Sequence, residues 1–278
     1  MKKFYLIIFL FLSAFGYAQV VFEKSLSEAF KKAKEQNKPV FIEYFNSDCS
    51  VCKRLATLFR EDAQIISHFN SKFINYAMNT YDDLPAEDAA LLQKANLHFE
   101  SVPVLLFFDQ NKNFLHYSSG DITVKSIMNE VKKSVFPEYN SAGLKSKYEA
   151  GDRSVRTLYA YANLLVLNKN DEKLKQVTQD LFLNFNQSEL ARKKSYLILK
   201  RVVIDSENGF FKFWMDNLDL LKDFEIGDSK GTEKSYLTKI VLKELSDPNI
   251  KKWDEAKKNK YKEYIIKLNL VEDPNVFF

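Results

Sequence analysis

The chain has 278 residues, a formal net charge of +4, 46% hydrophobic residues and 14% aromatic residues. That composition excludes an intrinsically disordered chain, and so small a charge gives no basis for nucleic-acid binding. Mixed-sign runs such as "KKWDEAKKNKYK" read as solvated helix faces.

Residues 1–18 have the layout of a secretory leader. Lys2 and Lys3 supply the charge, Phe4 to Phe15 the apolar run, and Gly16 and Ala18 the small residues before a cut after Ala18. A periplasmic or secreted product is the expectation. The alternative is an uncleaved anchor, but the run falls short of the ~20 residues that span a bilayer. No later segment is apolar enough to span, so no stable membrane span is expected after cleavage. The remainder is long enough for one large or two ordinary domains.

From Val20 to Phe136, helix and strand signals alternate. Ser25 and Glu28 form a capping box, and Leu26, Ala29, Phe30 and Ala33 share one helical face. After Pro39, "VFIEYF" reads as a buried strand, and the two cysteines follow it directly. Leu55, Leu58 and Phe59 carry helical period beyond them. "FINYAM" predicts a second strand, and Pro85 opens a helix with Ala89, Leu92 and Ala95 on its apolar face. "VPVLLFFD" is a third apolar strand, turned by "QNKN" into "FLHY". A last helix follows Gly120 and runs through Ile127 and Val131.

Past Pro137 only helical periodicity is found. Helices are predicted to begin near Ser154, Asp171, Ser188, Asn208, Thr232 and Asp254, with breaks at "GDRS", "NKND", "NQSE" and "GDSKGTE". They suggest antiparallel helical hairpins of a repeat-like array without a fixed period. The aromatic stretch "GFFKFWMDNLDLL" is the core face of one such helix. The expected organisation is a leader at 1–18, an α/β domain at 19–136 and an all-α domain at 137–278.

Cys49 and Cys52, in "YFNSDCSVCKRL", are the only cysteines. Stabilisation is a poor reason for the pair, because closing so short a loop adds only ~2 kcal/mol. Zinc is a poor reason too. A structural site wants four ligands, and His68, His98 and His116 have no paired spacing. The histidines read as surface or core polar residues. No metal or organic cofactor is implied.

The segments "PVFIEYFNSDCSVCKRL" and "SVPVLLFFDQNKN", followed by Gly120 before a final helix, resemble the thioredoxin superfamily, and exported bacterial thioredoxin-like proteins most. The resemblance covers roughly residues 21–135. A CxxC between a buried strand and a helix, with a Val-Pro-Val strand later, is its specific part. It implies a thioredoxin-like α/β domain, a central mixed sheet flanked by helices, ahead of the helical-hairpin domain. Cys49 then sits at a helix start, where free N–H groups and the dipole lower a thiol pKa from ~8.5 into the ~3.5–7.5 range. Lys53 and Arg54 add positive charge nearby.

By resemblance, Cys49 is the exposed nucleophile and Cys52 the buried resolving thiol, the two forming the redox disulfide. Pro103 is then a cis proline facing the pair. It presents the backbone of Val102 to an extended substrate, the alternative being a trans proline that opens an edge strand. Glu43, on the buried strand, would take the proton of Cys52, the alternative being an acid that reaches solvent at the strand end. The chain departs from the family in having Asp48 where tryptophan is common and Ser50-Val51 as the dipeptide. Asp48 opposes thiolate formation, and the absence of histidine from the dipeptide favours reduction or exchange over strong oxidation.

The implied activity is that of an exported thiol–disulfide oxidoreductase. Its partners are protein thiols or disulfides and an unidentified electron-donor or acceptor protein. The rival is a binding or scaffold protein on the same fold, with an inert Cys49–Cys52 disulfide.

Overall fold

The structure is a computed structural model and describes residues 19–80, 84–99, 101–222, 224 and 232–278. The expected leader at 1–18 lies outside the described residues. The chain divides into two compact units, one ending at Leu144 and the other beginning at Lys145.

The first unit is built on one five-stranded sheet. In chain order it contains β1 (Phe22–Glu23), α1 (Leu26–Gln36), β2 (Val40–Phe45), α2 (Ser50–Glu61), α3 (Ala63–Lys72), β3 (Ile74–Asn79), α4 (Ala86–Lys94), β4 (Val104–Phe108), β5 (Phe114–Ser118) and α5 (Val124–Val135). The strand order is β1-β3-β2-β4-β5. β2 runs parallel to β3 and antiparallel to β4, with Glu43 opposite Ala77 on one side and Leu105 on the other.

The central strands are continuous apolar runs because both faces of the sheet are covered. Alternation sends Val40 and Ile42, with Val104, Leu106 and Phe108, to a core under α1 and α4. Phe41, Leu105 and Phe107 point the other way, among Leu55 and Phe59 of α2, Phe69 of α3 and Ile127 of α5. That second core is aromatic, with the Phe41 and Phe69 ring centroids 4.6 Å apart.

The capping signals act as read. The Ser25 hydroxyl accepts the Glu28 N–H at 3.1 Å, and the expected α1 face of Leu26, Ala29, Phe30 and Ala33 is buried. The apolar face expected for α4 is displaced by one residue. Asp88, Leu91 and Leu92 are buried and Ala89 is exposed, because the Tyr76 hydroxyl donates to Asp88 at 2.6 Å and holds that carboxyl inside. β1 and α3 were not among the expected elements.

Residues 137–144 belong to the first unit. The expected α/β boundary at residue 136 therefore falls inside it. The chain returns to the sheet after Pro137, and the Ala142 N–H donates to the Leu115 carbonyl at 3.0 Å. His116, 6% exposed, anchors the same segment. Its Nδ1 accepts the Ser141 N–H at 3.2 Å and lies 2.8 Å from the Ser141 hydroxyl. The ring proton is thereby assigned to Nε2, which donates to Glu130 at 2.8 Å. Burial pushes the Glu130 carboxyl up, but the hydrogen bonds from His116 and Lys133 hold it below its ordinary range.

The second unit is helical throughout its regular structure among the described residues. Its helices are the rest of α6 (Leu144–Glu149), then α7 (Val155–Leu167), α8 (Asp171–Asn184), α9 (Lys193–Leu199), α10 (Gly209–Asp216), α11 (Leu218–Leu221), α12 (Thr232–Leu245) and α13 (Glu255–Leu268), with short 3-10 turns between some. Ser154, Asn170, Asn208 and Asp254 cap their helices. The helix expected near Ser188 is only a 3-10 turn, Gln187–Glu189, and α9 begins at Lys193. Phe210, Phe211, Trp214 and Met215 of α10 are buried, as the aromatic stretch predicts.

Candidate active site

β2 ends at Phe45 and α2 begins at Ser50, so both cysteines lie where a central strand hands over to a helix. Cys49 is the residue that caps α2, and its sulfur accepts the Cys52 N–H at 3.1 Å. The turn before it is held by Asn46, whose amide oxygen accepts the Cys49 N–H at 2.8 Å and the Asp48 N–H at 3.1 Å. Cys49 and Cys52 are joined as a disulfide, with Cα atoms 5.2 Å apart. Cys49 is half-buried, whereas Cys52 is 2% exposed and faces the core.

A second segment meets this turn from β4. The Val102–Pro103 peptide bond is cis, Pro103 is buried, and the Val102 carbonyl oxygen lies 3.6 Å from the Cys49 sulfur. Three of the elements singled out in the sequence thus converge: the strand end, the helix start and the Val-Pro segment. Glu43 sits on β2 on the face shared with Phe41, the face that α2 covers. It is 5% exposed and makes no hydrogen bond or ion pair among the described residues, so burial pushes its carboxyl up to about 7.

Residues 21–110 match the profile of the family described as thioredoxin-like. Residues 21–110 form a thioredoxin-like domain. Among solved structures, a candidate disulphide isomerase from Bacteroides thetaiotaomicron is 27% identical over 42% of this chain and 94% of its own, with a TM-score of 0.36. A DsbH oxidoreductase is 17% identical over 43% and 87% of the two chains, with a TM-score of 0.37. A thioredoxin from Thermus thermophilus is 14% identical over 41% and 85%, with a TM-score of 0.34. No curated protein matches the chain significantly.

The charges around the pair in the thioredoxin-like domain face solvent. Asp48, Lys53 and Arg54 are all exposed, and the first turn of α2 contains no acid. His98 is exposed and pairs with Asn96 at 3.3 Å, and His68 is half-buried against the Gln64 carbonyl. Neither belongs to the site. Among the described residues, no group of three or more histidine, cysteine, aspartate or glutamate side chains could hold a metal ion. Among them, too, no helix is long and apolar enough to cross a membrane. Sequence reasoning missed Asn46. The available signal was an asparagine at the end of an apolar strand, three residues before a helix-capping position, where its side chain closes a turn on following N–H groups.

Proposed function

We propose that the protein is an exported thiol–disulfide oxidoreductase that reduces or exchanges disulfides of protein substrates. One observation carries the reading: the half-buried Cys49 sulfur at the start of α2 accepts the Cys52 N–H, while Cys52 is enclosed beneath it. In the reduced protein that N–H and the helix terminus favour the Cys49 thiolate. The thiolate attacks one sulfur of a substrate disulfide. A new Cys49–substrate bond forms, the substrate bond breaks, and its other sulfur leaves as a thiolate. Cys52 then gives its proton to the Glu43 carboxylate and attacks the Cys49 sulfur; the Cys49–Cys52 bond forms as the Cys49–substrate bond breaks, and the second substrate sulfur leaves as a thiolate. The substrate gains two electrons and the cysteine pair becomes the disulfide. A partner dithiol protein returns the pair to the reduced state.

A carboxyl held near pH 7 exists in both protonation states at neutral pH, which suits it to accept and return that proton. The Val102 carbonyl beside the Cys49 sulfur supports a role for Val102 and Pro103 in holding an extended substrate backbone. The layout of residues 1–18 supports export to the periplasm or beyond.

The test is covalent trapping. Cys52→Ser leaves attack possible and removes resolution, so mixed disulfides through Cys49 accumulate on exposure to an oxidised peptide with one disulfide. Cys49→Ser traps nothing. Mass spectrometry that finds no adduct in either variant would make the pair an inert staple.

A further inference from the structure

The capping sulfur is itself held by a second cap, and the inference begins there. Four residues, Asn46 to Cys49, join β2 to α2. The Asn46 amide oxygen accepts two N–H groups from that turn, at 2.8 Å from Cys49 and 3.1 Å from Asp48. Asp48 and Ser50 on either side of Cys49 are exposed and do not fix it by packing. In the disulfide the Cys49 sulfur, 3.1 Å from the Cys52 N–H and 3.6 Å from the Val102 oxygen, is held by its bond to Cys52; once that bond is reduced, the Asn46 amide still holds the backbone of the turn that carries it.

The chemistry of that group matters as much as its reach. Aspartate would close the same turn, since its oxygens accept N–H groups in the same geometry. It would also place a full negative charge beside the residue that must ionise, in a site that already has Asp48 next to Cys49. A neutral amide supplies the acceptor without the charge.

We infer that Asn46 is a positioning residue for the Cys49 thiolate: its neutral side-chain oxygen holds the turn that points the sulfur at the Cys52 N–H. The inference builds on the reading of Cys49 as the attacking thiol, but it concerns ionisation, which is measured without turnover. A single charge within a few ångströms of a partly exposed group moves its ionisation by about one pH unit, so the thiolate fraction below the pKa changes about tenfold.

The experiment uses full-length reduced protein with Asn46→Ala, Asn46→Asp and Asn46→Ser. The rate of Cys49 alkylation by iodoacetamide is followed against pH by mass spectrometry, and thermal melts report folding. Asn46→Asp keeps the turn and should move the inflection of the profile up by about one pH unit, with the melting temperature little changed. Asn46→Ala removes the hold on the sulfur, so its inflection should also rise, and the thiolate fraction at pH 6.5 should fall about threefold or more. Asn46→Ser retains an oxygen that can close the turn and should return the profile towards that of the parent.

A folded Asn46→Ala protein whose profile superimposes on the parent, or moves down, overturns the inference. A lowered melting temperature with an unmoved profile overturns it as well, since Asn46 would then only stabilise the fold. Failure of the redox reading looks different: the Cys52→Ser variant would trap no substrate disulfide through Cys49, whatever the alkylation profiles of the Asn46 variants.

Discussion

Replacing Glu43 by glutamine should make the first unit more stable at neutral and alkaline pH, and by a calculable amount. The carboxyl ionises at about 7 in the folded protein against an ordinary 4.5, and burial alone is the cause. Below pH 4.5 both states keep the proton. Between 4.5 and 7 the unfolded chain ionises while the folded one stays neutral, so stability falls as pH rises, and above 7 the loss is complete. At 1.36 kcal/mol per pKa unit, the whole loss is about 3 kcal/mol, and Glu43→Gln does not suffer it. With Glu43 only 5% exposed, little solvent screening reduces that figure.

The chain's two tryptophans, Trp214 and Trp253, lie in the second unit, so fluorescence does not report this change. Hydrogen exchange of the slowest amides of β2 and β4 does, because they exchange only when the first unit unfolds. In the oxidised protein, the ratio of parent to variant protection should fall roughly 10²-fold between pH 5 and pH 8. A ratio that stays flat would mean that the carboxyl ionises as it does in water, and the proton-transfer role of Glu43 would lose its physical basis.

Three further outcomes are expected. In reduced protein at neutral pH, a small alkylating agent should label Cys49 well before Cys52, which is 2% exposed; labelling of Cys52 first would reverse their roles. A fragment of residues 19–136 should melt below one of residues 19–144. It loses the Ala142 and Ser141 hydrogen bonds and leaves acceptors on Leu115 and His116 unpaired, at about 1–3 kcal/mol for each buried group; equal melting temperatures by circular dichroism would refute this. Gly209→Ala places a methyl 2.2 Å from the Phe182 ring and should destabilise the second unit by about 1–3 kcal/mol in urea titrations read by Trp214. A change within the noise there would mean that the ring swings aside freely.

The parts of the site that are legible in the sequence share one property: each breaks a strong local pattern. Glu43 is a charge inside a continuous apolar strand, and Pro103 stands at the start of another. Cys49 and Cys52 occupy the boundary between strand and helix periods. What escaped the reading depends on partners distant in the chain. Asp88 looks like a solvent-facing helix residue until Tyr76 of β3 is placed beneath it. β1 is two residues long and gains its strand character only by pairing with β3. Pro137 reads as a domain edge, yet the bonds that tie Ser141 and Ala142 to β5 come after it. Asn46 acts through turn geometry, which hydrophobic periodicity does not encode.

The return of the chain at Ala142 also bears on how the sheet meets other polypeptides. An open strand edge is a template on which any extended chain can pair, and folded proteins guard such edges. Here β1 closes one side with a strand of two residues, whose Glu23 forms an ion pair with Lys32. On the other side the Ala142 N–H takes up the Leu115 carbonyl of β5. With its edges shortened on one flank and tied on the other, this sheet discourages indiscriminate zippering and domain swapping. On the proposed function, the irregular backbone at Ser101 and Val102, beside the Cys49 sulfur, is then the place where an extended substrate would dock.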